Sequence, residues 1–372
     1  MTTAPPDQPL SPKAQLETML NGITRLGATS ICLMAGQPPL VRVQGTLVHS
    51  DEPALSAGRV EDLCRSFLFD DHWRQLKRGL EVRVLYHTSS GDRFRTTVMR
   101  QESGLKVSFA CLPHQIPSFE ALGLPELLSS FIEFRSGLVV LTGAMGSGKS
   151  TTLASMVDRL NHTFPGHIVT IDKPVEHIYR AATALVHQRE VGVHVASFAE
   201  GVHDAVRNDA DVVVVGDLQD YETLLAVLDA AERGTLVLTT LHATGVVGAL
   251  HEMLNLAPML MHERIRSRLA LALRALVSQT LIRKAQTSGC VPLHEILINN
   301  PSVQQHVRAG TFGEIPAIME RSRGLGMQIA DQGLRTLINR NLITVDEARM
   351  HATNAESLGL RSPRRPLSDA LR

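Results

Sequence analysis

The amino-acid sequence predicts an α/β protein of two domains, the second built on a mainly parallel sheet. Three observations carry that reading. Short runs at 137–142, 168–171, 212–215 and 236–241 are apolar almost throughout, as strands buried on both faces are. Stretches with helical apolar spacing alternate with them, the order of a parallel sheet covered by helices. Between the first run and the helix after it stands Gly143-Ala144-Met145-Gly146-Ser147-Gly148-Lys149-Ser150. That stretch fits G-x-x-x-x-G-K-[ST] in the strand–loop–helix context the pattern requires.

Taken in order, residues 1–12 are polar and proline-rich and read as a disordered tail. Residues 13–113 read as a first α/β domain. Helical apolar spacing runs from Gln15 to Leu26, and strand-like pieces follow at 31–33, 40–43, 81–86, 93–98 and 105–109. The last two flank a glycine turn, and spacing this close suggests an antiparallel sheet with a few helices. Pro113 and Pro117 mark a linker. The second domain spans 118–285. Residues 286–360 read as a largely helical C-terminal region, and 361–372, with Ser-Pro-Arg-Arg-Pro, as a second disordered tail.

Composition narrows the classes of function. The chain has 372 residues, of which 44% are hydrophobic, ordinary for a soluble globular protein. No apolar run approaches bilayer length, and the N-terminal residues hold no apolar core for a secretory signal. A cytoplasmic location is expected, with any membrane association peripheral and borrowed from a partner. The 37 basic and 37 acidic residues cancel, which argues against a general electrostatic grip on nucleic acid. Cys32, Cys64, Cys111 and Cys290 form no C-x-x-C pair, so neither a zinc site nor a disulfide framework is indicated.

The glycine loop reads as a cradle for nucleotide phosphates. Gly143, Gly146 and Gly148 let backbone N–H groups converge, with Ser147 among them, and the following helix adds its positive end. Lys149 would reach the β/γ-phosphates, the Ser150 hydroxyl would ligate Mg²⁺, and Thr151 would complete the nucleotide contacts. Two strand-end acids follow. Asp172 ends the run 168–171, where α/β proteins place ligand groups; its local sequence reads equally well as a turn cap. Asp217 follows the four valines 212–215 and Gly216, the layout of an acid beside Mg²⁺ or the attacking water, with an ordinary strand-end turn as the alternative. His242 ends the run 236–241; it is either a structural histidine or one that senses the γ-phosphate by a hydrogen bond.

Together these segments resemble the secretion-ATPase superfamily, and more closely its type IV pilus retraction ATPases, over about residues 14–353. The resemblance includes Ala35-Gly36-Gln37-Pro38-Pro39-Leu40-Val41-Arg42-Val43, Val186-His187-Gln188-Arg189-Glu190-Val191-Gly192, Ser278-Gln279-Thr280-Leu281-Ile282 and Gly326-Met327-Gln328. It implies a PAS-like N-terminal domain and a RecA-like ATPase domain. It also implies a homo-hexamer with ATP and Mg²⁺ held between neighbours, and catalytic roles for Asp172, Asp217 and His242. The implied partner is an inner-membrane pilus platform protein, with a paralogous pilus ATPase as a second candidate and no nucleic acid.

The chain departs from the family where chemistry is expected. Asp172-Lys173-Pro174 stands for Glu-Asp-Pro, and Gly216-Asp217-Leu218-Gln219-Asp220 for Gly-Glu-Met-Arg-Asp. Thr235 replaces the histidine of Thr-Gly-His-Leu, Ala110 the arginine of Phe-Arg-x-Ile-Pro, and Ser302-Val303-Gln304 the Ala-Ile-Arg segment. Each shortened carboxylate sits back by about one bond length, ~1.5 Å, and misplacement of about 1 Å can slow a reaction on the order of 10²-fold. The expectation is a hexameric retraction-type motor, weakened in turnover. The alternative is a nucleotide-binding regulatory paralogue with little hydrolysis. A DNA-translocating motor is disfavoured by zero net charge and the lack of a basic aromatic stripe.

Overall fold

The computed structural model describes residues 11–43, 46–112, 115–287 and 289–354. Pro113 and the 361–372 tail lie outside these residues, as does the first tail apart from Ser11 and Pro12. Those two belong to a helix, Pro12–Arg25: the Ser11 hydroxyl accepts from the Ala14 N–H at 3.3 Å and Pro12 opens the first turn. Serine before a proline at the first helical position is a start signal the tail reading overlooked.

The chain divides into two compact units. One holds residues 1–115 and 174–177; the other holds 116–173 and 178–372. The first unit carries β1 (Ser30–Met34), β2 (Leu40–Val43), β3 (Thr46–His49), β4 (Val82–His87), β5 (Arg93–Gln101) and β6 (Gly104–Leu112). They form an antiparallel sheet in the order β3-β2-β1-β6-β5-β4. Alternate residues of β5 and β6 face inward, so Phe94, Val98, Val107 and Phe109 are fully buried against Leu16, Leu20, Val60 and Leu63 from the flanking helices. β3 is exposed at every position on the sheet edge, which is why no apolar run announced it.

The second unit carries β7 (Gly137–Thr142), β8 (His167–Asp172), β9 (Leu185–Glu190), β10 (Val212–Val215), β11 (Leu236–Leu241), β12 (Leu273–Arg283) and β13 (Cys290–Ile298). The sheet order is β13-β12-β7-β11-β10-β8-β9, parallel except for the β12–β13 pair. The four expected strands lie at its centre. Successive side chains of β7 serve opposite cores: Leu138 and Val140 join one layer of helices, and Val139 and Leu141 the other. This is the α/β architecture the sequence predicts.

The region from 286 onward is largely helical as expected, but it opens with a strand the sequence reading lacks: β13 pairs with β12 from Ala275–Ile298 to Arg283–Cys290. A domain boundary at 285 therefore falls inside a hairpin. β12 follows the helix His262–Ala272 directly, so an apolar sequence with no break changes from helix to strand. β9, with sequence LVHQRE, is polar and half-exposed at the sheet edge and carries no apolar signal. Helices at Pro301–Ala309, Ile315–Arg321, Ala330–Asn339 and Val345–His351 make up most of the rest.

Candidate active site

Parallel register sets the site. Thr142 pairs with Leu241, and Val215 pairs with both Thr239 and Ile171. The C-terminal ends of β7, β11, β10 and β8 are thus neighbours; Gly143, His242 and Gly216-Asp217 stand just beyond the first three, and Asp172 is the last residue of β8. Side-chain hydroxyls lock these ends together. Thr142 Oγ1 donates to the Ala243 carbonyl at 2.7 Å, and Thr240 Oγ1 to the Gly216 carbonyl at 2.7 Å.

The glycine loop turns from β7 into the helix Lys149–Thr163. Gly143 has φ +151°, and a Cβ there would lie 2.3 Å from the Gln279 carbonyl oxygen. Gly148 has φ +84°, and its Cβ would lie 2.9 Å from Gln279 Nε2. Both positions need glycine for conformation and for space. The first-turn N–H groups of the helix have no intrahelical partner by geometry and provide an anion-binding end.

Lys149 is buried, 5% exposed. Its ammonium donates to the Gly143 carbonyl at 2.8 Å, the Ala144 carbonyl at 3.0 Å and His242 Nδ1 at 3.3 Å. Burial lowers the Lys149 pKa from its ordinary value, and the Asp217 carboxylate partly opposes that. Because Nδ1 accepts, His242 carries its proton on Nε2, which faces Asp217 Oδ2 at 3.5 Å. The same Asp217 oxygen accepts from Gln219 Nε2 at 2.7 Å. A polar chain thus runs Lys149–His242–Asp217–Gln219.

Two buried polar atoms here have no partner among the described residues: Asp217 Oδ1 and Ser147 Oγ. A bound phosphate with its cation would satisfy a carboxylate oxygen and a hydroxyl of this kind. Ser150 is exposed on the first helical turn and Thr151 half-buried beside it. The Asp172 carboxylate lies over Gly216, where a Cβ would meet its Oδ1 at 2.8 Å. Tyr179 stands near it: burial first, then the Asp172 and Asp158 carboxylates, push its phenol well above the ordinary range.

Every predicted site residue therefore lies at this edge of the sheet. Lys173, next to Asp172, is exposed. Thr235 is placed elsewhere in the chain: it precedes β11, and its carbonyl accepts from the Gly137 N–H at 3.1 Å at the opposite end of the strands, about 20 Å away at ~3.3 Å per residue. A cavity of about 360 Å³ opens elsewhere in this unit, lined by Thr244, Ser278, Thr280, Glu295 and His351 among others, and contains none of the loop residues. Sequence reasoning missed the contacts of Gln279, Thr152 and His294 behind the loop. Only the stretch Ser278-Gln279-Thr280 hinted at them.

Comparison with known proteins places these features in context. The family model described as Type II/IV secretion system protein matches residues 97–353. A "Twitching motility protein" of Neisseria gonorrhoeae is 36% identical over 321 residues, 86% of each chain. The "Type IV pilus retractation ATPase PilT" of Pseudomonas aeruginosa is 34% identical over 331 residues, 89% of this chain and 96% of that one. A crystal structure of the pilus retraction motor PilT with bound ADP superposes with a TM-score of 0.83 at 33% identity, covering 92% of this chain and 98% of that one.

Proposed function

The chain belongs to the Type II/IV secretion system protein family, and from that premise we propose that it is an ATP-hydrolysing motor of the type IV pilus retraction class. The observation that carries the reading is the convergence of an intact phosphate loop with His242, Asp217 and Asp172 at one edge of a parallel sheet. Relatives named for twitching motility and pilus retraction match nearly the whole length of both chains, which supports extending the reading beyond nucleotide binding.

Each residue has a role in this reading. The N–H groups of 143–151, with Gly146, Ser147 and Gly148, hold the phosphates, and Lys149 turns from its own loop carbonyls to the β/γ-phosphates. Ser150 and Asp217 would hold Mg²⁺, which supplies charge neutralisation to the phosphates when bound; the unpartnered Asp217 Oδ1 fits that task. Asp172 accepts the proton of the attacking water, and His242 touches the γ-phosphate end while Asp217 fixes its tautomer.

A ring of six copies, with nucleotide between neighbours, turns a platform protein of the inner membrane. A paralogous pilus ATPase is a candidate member of the same machine. No helix among the described residues is long and apolar enough to cross a membrane, and the motor acts from the cytoplasm, held at the membrane through its partner. A second reading, a nucleotide-binding regulator with little turnover, is favoured by Lys173 and Gln219, each a departure beside the chemistry. A steady-state ATPase assay decides: turnover that Lys149→Ala abolishes supports the motor, and ATP binding without turnover supports the regulator.

A further inference from the structure

Behind the phosphate loop lies a buried polar brace built from strands that carry none of the expected site residues. Gln279 on β12 is 2% exposed, and His294 on β13 is 3% exposed. The two are direct cross-strand partners. Gln279 Nε2 donates to the Ser147 carbonyl at 2.7 Å. Its Oε1 accepts from the Thr152 hydroxyl at 2.8 Å and from His294 Nε2 at 3.0 Å.

The amide has one workable orientation. A carbonyl such as that of Ser147 can only accept, so the NH₂ must face it, and Oε1 must then face the two donors. A flipped amide would set oxygen against oxygen. His294 completes the lock as a neutral donor, because burial pushes its imidazole down to about 4.

Holding the Ser147 carbonyl has a consequence for the next residue. A trans peptide is planar, with C=O and N–H pointing in opposite directions. Drawing the Ser147 oxygen toward β12 therefore turns the Gly148 N–H away from β12, toward the hollow of the loop. Gln279 also fills the space beside two of the loop glycines, with its backbone carbonyl at Gly143 and its side-chain amide at Gly148.

We propose that Gln279 is a positioning residue for the phosphate loop: it aims the Ser147–Gly148 peptide at the nucleotide phosphates, and His294 holds its amide in register. The proposal rests on the nucleotide-binding reading above and adds to it residues from outside the motifs. Ser278 and Thr280 face the opposite side of β12, where they line the separate cavity, so the brace belongs to Gln279 alone on this strand.

The test is an ADP titration of the full chain by calorimetry, below the onset of melting, with melting of the nucleotide-free protein followed alongside. Gln279→Met keeps length and removes every hydrogen bond; its dissociation constant should rise at least about tenfold, ~1.4 kcal/mol. His294→Leu should shift affinity the same way, while His294→Gln, which keeps a donor, should stay within about threefold of the natural chain. The double variant Gln279→Met/His294→Leu should bind no more weakly than Gln279→Met, because His294 acts through Gln279. Altered melting with unchanged affinity overturns the proposal, as does full additivity in the double variant. If Gln279→Met does not fold, the His294 pair decides alone: equal affinity in His294→Leu and His294→Gln overturns it. A natural chain that binds no ADP overturns the nucleotide reading as well, whereas a natural chain that binds and a Gln279→Met that binds equally overturn only the brace.

Discussion

The triple variant Asp172→Glu, Lys173→Asp, Asp217→Glu should hydrolyse ATP at least tenfold faster than the natural chain, about 1.4 kcal/mol off the barrier. Asp172 rests over the bare backbone of Gly216, and a glutamate would reach about 1.5 Å further from the strand end. Misplacement of a reacting group by about 1 Å can account for on the order of 10²-fold, so this position has room for the whole gain. Asp217 is more closely held on its own site. Its Oδ2 is already engaged by Gln219 at 2.7 Å and faced by His242 at 3.5 Å. Lengthening it disturbs both contacts, of which the Gln219 hydrogen bond is worth about 0.5–1.5 kcal/mol, so Asp217→Glu alone should gain little. Most of the acceleration should therefore appear in Asp172→Glu. The assay is steady-state phosphate release at saturating Mg·ATP, with ATP binding and melting checked on each variant. A folded, ATP-binding triple variant with unchanged kcat would refute the reasoning that the short carboxylates limit turnover.

Lys149→Ala should weaken ATP binding at least about tenfold, since it removes a cation from the phosphates, a charge-assisted contact of about 1.5–3 kcal/mol; equal affinity by calorimetry would contradict the loop assignment. Nucleotide should strengthen a ring of about six subunits by mass action, and light scattering that gives monomer alone at saturating ATP would count against it. Folding stability should carry a pH signature from His294. Its pKa falls from 6.5 to about 4 on folding, so the unfolded chain binds the proton more readily, and the contribution, present above about pH 6.5, is lost as pH falls toward 4. The difference in urea stability between the natural chain and His294→Gln should span about 3 kcal/mol over that window, and a flat difference curve would show that the imidazole is not held neutral.

What the sequence made legible follows from what burial demands. β7, β8, β10 and β11 sit mid-sheet under helices on both faces, so their residues had to be apolar, and the polar residues at their ends stand out against those runs. Lys149, Asp172, Asp217 and His242 were readable for that reason. β3 and β9 lie on edges, where solvent tolerates polar residues and no pattern is imposed. β12 and β13 were hidden differently: apolar residues continue from the helix His262–Ala272 into the strand without a turn signal. The contacts of Gln279 and His294 are set by cross-strand pairing, which local sequence does not encode. The distance of Thr235 from the site was also invisible, because strand polarity decides which end of β11 a residue occupies.

The β12–β13 hairpin bears on how this molecule can be divided. Residues 118–285 contain every signature by which a nucleotide enzyme would be recognised, yet that fragment lacks the strand that supplies His294 and covers the outer edge of β12. Cut there, the chain would expose a long apolar strand edge, a template for self-association, and would lose one of the donors that holds the Gln279 amide. The recognisable part and the autonomous part are different lengths of chain, and trimming to the first would damage the loop it was meant to isolate.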